Sequence, residues 1–114
     1  MIKAGKYNIT AYQGATYDLS LTWSTNGTAT DLTNYSAAMQ VRVTPAATDT
    51  IVSLASGTGI TLGGTAGTIA INIDAEAMAA VDPGQYVYDL ELDSGGAVYR
   101  LLQGTFQVEA EVTK

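Results

Sequence analysis

The sequence contains no cysteine and no histidine in 114 residues. Without cysteine there is no disulfide framework and no thiol chemistry, and cysteine usage does not mark the redox compartment. Without histidine the commonest general base near neutral pH and the commonest metal ligand are both missing. Hydrolytic triads built on His are therefore excluded, and a zinc site has no ordinary ligand set. Charge is scarce too: 14% of residues are charged, against roughly 25% in ordinary soluble proteins. Five basic residues face eleven acidic ones for a net charge of −6. The basic residues are scattered, so no nucleic-acid partner is expected. No apolar run reaches the length of a membrane span, and MIKAGKYNIT lacks the apolar core of a signal peptide. The expectation is a soluble, unprocessed chain with no membrane partner.

Against these absences stand a hydrophobic fraction of 46% and an abundance of Thr, Ala and Gly. That composition suits one domain over residues 1–114 with a modest core. The most informative stretch is Gly84 to Val108. Tyr86, Tyr88, Leu90 and Leu92 share one face at a period of two, and Val87, Asp89, Glu91 and Asp93 share the other, the pattern of a half-buried strand. Gly95-Gly96 then turns the chain. A two-residue loop there places Leu92 opposite Tyr99, Leu90 opposite Leu101 and Glu91 opposite Arg100. Further along, the apolar positions change from odd (Tyr99, Leu101) to even (Phe106, Val108), which predicts a β-bulge near Gly104.

The same reading applies upstream. TYDLSLTW at 16–23 alternates Tyr17, Leu19, Leu21 and Trp23 with hydroxyl and acidic residues, and Asn26-Gly27 marks a turn. Asp31 in DLTNYS is placed to accept backbone hydrogen bonds two residues on. AAMQVRVT points Met39, Val41 and Val43 inward until Pro45 ends pairing. Weaker strands are read at Tyr7–Gln13, Ile51–Leu54 and GITL, and TIAINI restores alternation. Asp74 caps a short helix near 75–81 with Glu76 in its first turn. Seven to nine short strands with frequent turns predict an all-β fold: a single antiparallel β-sandwich, immunoglobulin-like or jelly-roll-like.

Chemistry is sparse. Asp89, Glu91 and Asp93 lie on one strand face, successive Cα atoms about 7 Å apart, a pair of carboxylates that glycoside hydrolysis could use. A solvated face with a Glu91–Arg100 pair worth at most ~1 kcal/mol is the simpler account. Asp31, Asp49, Asp74, Asp82 and Asp93 offer hard oxygen atoms for calcium, but without an EF-hand spacing they read as turn formers. The Gly-rich segment 57–67 lacks the Lys-Ser/Thr and long helix of a phosphate loop. No catalytic, metal or cofactor site is expected. Of the seven Tyr, Tyr12, Tyr35 and Tyr7 lie nearest loops or termini, where rings are free to stack on sugars.

YNITAYQGATYDLSLTW, DLTNYSAAMQVR, GITL with TIAINIDAEAMAAV, PGQYVYDLEL and YRLLQGTFQVEAEVT, in that order, cover almost the whole chain. Together they resemble a group of small tailed-phage and prophage virion proteins, and the N-terminal domain of siphophage upper baseplate proteins. Members show an Asp-Leu-Thr-Gly-Tyr turn and an Arg-Met-Gln-Val-Arg strand. Here Asn34 stands for the Gly, and Asn tolerates a positive φ. Ala38 stands for the first Arg, leaving Arg42 alone on that strand.

The resemblance implies a non-enzymatic virion structural protein docking in multiple copies on the tail, baseplate or collar. The alternatives are a capsid decoration protein, or a carbohydrate-binding module for host attachment. The implied partners are other virion proteins, and the implied location is the virion. The candidate interaction surface is Val87, Asp89, Glu91, Asp93, Arg42, Tyr35 and Tyr12, with residues 1–6 and 110–114 as candidate arms.

Overall fold

The computed structural model describes residues 5–112. The chain opens with β1 (Gly5–Lys6), β2 (Ile9–Tyr12) and β3 (Tyr17–Thr22). A small separate hairpin follows, β4 (Ser24–Thr25) and β5 (Thr28–Ala29), around Asn26 and Gly27. Their φ values of 53° and 79° are what a hairpin turn with two left-handed central residues requires, hence Asn-Gly. Next come β6 (Ser36–Arg42), β7 (Val52–Ser56), β8 (Gly59–Leu62), a 3-10 turn at Gly64–Ala66 and β9 (Thr68–Ile73). Helix α1 (Ala75–Ala79), β10 (Gly84–Asp93) and β11 (Val98–Glu109) complete the order. No helix among the described residues is long and apolar enough to cross a membrane.

The fold is all-β with one short helix, and its main sheet has nine strands. Their order is β1-β11-β10-β6-β7-β8-β9-β3, with β2 also pairing β11. Most neighbours are antiparallel, but β1 and β2 run parallel to β11, and β7 meets β8 in parallel. The sheet is therefore mixed, which corrects the antiparallel expectation. The reason lies in where the N-terminal segment goes. β2 does not fold back on β3, its successor in sequence; it lies beside the last strand, where it buries Ile9 and Ala11 in the core. Nearly the whole chain separates β2 from β11, whereas β7 and β8 meet in parallel over only two residue pairs, across the tight turn at Gly57 and Thr58.

The sheet curls until its inner face closes on itself. Tyr17 of β3 meets Phe106 of β11 edge-on at 6.3 Å between ring centres, and Trp23 lies 6.0 Å from Tyr99. Inside the curl, Met39, Val41, Ile69, Ile71, Leu90, Leu92 and Phe106 are buried. Each such side chain contributes about 1.5–3 kcal/mol through loss of contact with water. Trp23 is half-buried and sits just past the end of β3 rather than within it. Val43 does not point inward as its alternation predicted: β6 stops at Arg42, and Val43 is 55% exposed.

The β10–β11 hairpin keeps its predicted start and moves its predicted bulge. Ser94 donates its backbone N–H to the Ala97 carbonyl at 2.9 Å, closing a two-residue Gly95-Gly96 turn. Leu92 then faces Tyr99 and Glu91 faces Arg100, as the spacing predicts. Leu90, however, faces Leu102, because the register slips between Leu90 and Glu91, at Leu101 rather than Gly104. The slip lets Leu101 and Leu102 both pack partly against the core. Gly104 has another role. A Cβ there would run into the Tyr7 carbonyl oxygen and the Asn8 side chain, so only glycine lets the N-terminal segment lie flat against β11.

Helix α1 begins as its sequence predicts: Asp74 accepts a hydrogen bond from the Ala77 N–H at 2.8 Å and so satisfies one of the open donors of the first turn. Its inward residue is Met78. Of the candidate arms, Gly5 and Lys6 pair with Leu102 and Gln103, and the Glu111 N–H donates to Gln13. Residues 1–4 and 113–114 lie outside the described residues.

Candidate functional site

β10 has a partner on both sides, β6 and β11, so its outward residues stand in the middle of a paired surface. Its period of two sends Val87, Asp89 and Glu91 to half-buried outward positions and leaves Asp93 exposed at the end of the strand. On the β6 side Val87 lies opposite Arg42, Asp89 opposite Gln40, and Glu91 opposite Ala38. On the β11 side Asp89 lies opposite Gln103, and Glu91 opposite Arg100. Five of the seven predicted surface residues, Val87, Asp89, Glu91, Asp93 and Arg42, thus share one face.

Arg100 holds that face together. Its Nε lies 3.4 Å from Asp89 Oδ2 and its Nη2 3.6 Å from Glu91 Oε2, with all three side chains 38–52% exposed. At that exposure water screens each pair, so each is worth about 0–1 kcal/mol. The pairs position the side chains more than they stabilise the fold. Arg42 is fixed separately: Nη1 donates to the Ala47 carbonyl at 2.8 Å and Nη2 to Gln40 Oε1 at 2.7 Å.

Tyr12 and Tyr35 lie toward the two ends of β10. Tyr12 ends β2 opposite Glu109, at the Gly84 end of β10, and is 59% exposed. Tyr35 precedes β6 at the Asp93 end, where its ring packs edge-on against Trp23 at 5.9 Å. Tyr12 is on the outward side of the sheet near the start of β10, and Tyr35 is beyond its far end, so the two rings are apart from each other. They sit at opposite ends of β10 and cannot form one stacking platform.

The loop before Tyr35 follows its sequence. Asp31 accepts from both the hydroxyl and the backbone N–H of Thr33, and these bonds, the hydroxyl first, hold its carboxyl below the ordinary aspartate value. Asn34 needs no positive φ; among the described non-glycine residues only Asn26 has one. No group of three or more Asp and Glu side chains converges to hold a metal among the described residues.

Sequence reasoning missed Gln40, Gln103 and the Asp89–Arg100 contact. Gln40 and Arg42 do alternate outward on their strand, but nothing local says that β10 is their neighbour. No protein-family model matches the chain, and comparison with curated protein sequences finds no match.

Proposed function

We propose that this chain is a non-enzymatic structural subunit of a tailed-phage virion, docking in multiple copies on the tail, baseplate or collar. The observation that carries the reading beyond the resemblance is the outward row of β10. From Val87 to Asp93 it extends about 20 Å at ~3.3 Å per residue, on a strand paired on both sides and cross-braced by Arg100. A surface ordered before contact loses little entropy on docking, which suits repeated subunit contacts. The open edge of β3 adds a place where a neighbouring strand can pair.

We read the curled sheet as a two-layer sandwich, β1, β2, β11, β10, β6 and β7 over β8, β9 and β3. The ring contacts Tyr17–Phe106 and Trp23–Tyr99 support this by joining β3 and the residue just after it to β11 across the interior.

Mass spectrometry of dissociated mature particles should find this chain, and its absence overturns the assignment. Cryo-EM of the particle should place it on the tail, baseplate or collar; density on the head surface would favour decoration of the capsid instead. Asp89→Lys with Glu91→Lys should lower incorporation, and undiminished copy number would rule out the β10 row as the docking face.

A further inference from the structure

The chain has two arginines, Arg42 and Arg100, and both line one groove on the outward side of the sheet. They belong to β6 and β11, the two strands that flank β10. The groove encloses about 320 Å³, and Gln40, Val87, Asp89 and Gln103 complete the part that matters here. That volume is at the small end of ligand sites and matches a molecule of about one sugar ring. Around the groove Arg42 and Arg100 face Asp89 and Glu91, two charges of each sign, but both carboxylates lie against Arg100, which leaves the Arg42 end positive.

The two arginines are not equivalent. Arg100 is held by Asp89 and Glu91. Arg42 has no carboxylate partner among the described residues; a backbone carbonyl and the Gln40 amide oxygen hold it in place. Those two bonds occupy two of its five N–H donors and set the plane of the guanidinium, leaving the others for a ligand. Because the Gln40 oxygen is already engaged, the Gln40 NH₂ remains as a donor, and Gln103 brings both an amide donor and an acceptor. Asp89 offers acceptor oxygen atoms between the two arginines. A ligand that fits this order has a carboxylate for Arg42 and hydroxyl groups to donate to Asp89. A bare carboxylate would meet Asp89 with nothing to donate.

We propose that this groove binds a small hydroxylated carboxylic acid of the sugar-acid class, with its carboxylate on Arg42 and its hydroxyls on Asp89 and the two glutamines. The groove shares Val87, Asp89 and Arg100 with the proposed docking row, but binding is read on the isolated full chain, so its failure and a failure of the assembly reading are distinguishable.

Titration of the ¹⁵N-labelled protein with D-glucuronate, followed by amide chemical shifts, tests it. Shifts should concentrate on Gln40, Arg42, Asp89 and Gln103. Arg42→Gln should weaken binding roughly ten- to hundredfold, the loss of charge-assisted hydrogen bonds, while leaving the circular dichroism spectrum unchanged. Asp89→Asn, which keeps the shape, should weaken glucuronate relative to acetate. D-glucose should bind far more weakly than glucuronate, and added salt should weaken glucuronate binding. Absence of shifts with glucuronate, or unchanged affinity in a folded Arg42→Gln chain, overturns the site. Equal affinity for acetate and glucuronate overturns the hydroxyl half of the assignment.

Discussion

The hydroxyl of Tyr88 donates to the backbone carbonyl of Tyr7 at 2.6 Å, joining residues 81 positions apart. Tyr88 is an inward residue of the central strand, 5% exposed, and its ring packs edge-on against Phe106. The bond ties the entering chain to the middle of the sheet just before β2 begins. Its removal leaves the Tyr7 carbonyl without that donor while keeping nearly all the packing. Tyr88→Phe is therefore expected to lower unfolding free energy by about 1–2 kcal/mol, measured as a lower urea midpoint. Amide exchange should accelerate at Tyr7 and along Ile9–Tyr12 more than in β10.

Alkaline pH should act on the same residue. Burial, helped by the neighbouring phenols of Tyr17 and Tyr7, pushes the Tyr88 phenol well above its ordinary value of 10.0. The folded chain then keeps a proton that the unfolded chain releases above about pH 10. The associated stability is complete below that pH and is lost as pH rises through the folded value. Urea midpoints should therefore fall above about pH 10, and fall less steeply in Tyr88→Phe. Tyr17 and Tyr86 are raised in the same direction, mainly by burial, so some alkaline dependence should persist in that variant.

Gly104→Ala should loosen the N-terminal strand. The added methyl would collide with the Tyr7 carbonyl, which is backbone and cannot swing aside as a side-chain tip can. Overpacking of this kind costs about 1–3 kcal/mol. Calorimetry should show a lower melting temperature, and limited proteolysis should cut first between Tyr7 and Thr16. An unchanged melting temperature would mean that β2 does not need the close approach.

Arg100→Gln separates the two roles of the outward face. Its ion pairs to Asp89 and Glu91 are half-exposed, so the substitution should change stability by no more than ~1 kcal/mol. On the docking role proposed for this face, incorporation into particles should suffer more, because Asp89 and Glu91 lose the group that orders them. A large drop in melting temperature would assign Arg100 a structural role that the geometry does not predict.

Much of the candidate face could be read locally. The outward row of β10 follows from strict alternation, and Glu91 meets Arg100 because a two-residue Gly-Gly turn sets the register next to it. From Leu90 toward the start of β10 that register no longer holds, since Leu101 slips. The bulge was legible as an event, from the change of parity between Leu101 and Phe106. Its position was not, because either site restores the parity, and packing of Leu101 and Leu102 against the core chose between them.

The sequence by itself determined an all-β chain, its turns at Asn26-Gly27 and Gly95-Gly96, the Asp74 cap and the face each inner residue of β10 takes. These are choices of φ, ψ and side-chain direction made within a few residues. The tertiary structure alone decided that β2 lies parallel to β11, that the sheet curls to bring Tyr17 onto Phe106, and that Arg42 and Arg100 share a groove. Those outcomes depend on which distant strands become neighbours. That choice is set by the summed burial of Ile9, Ala11, Phe106 and the rest of the core against the entropy of closing long loops, and alternation within one strand carries no record of it.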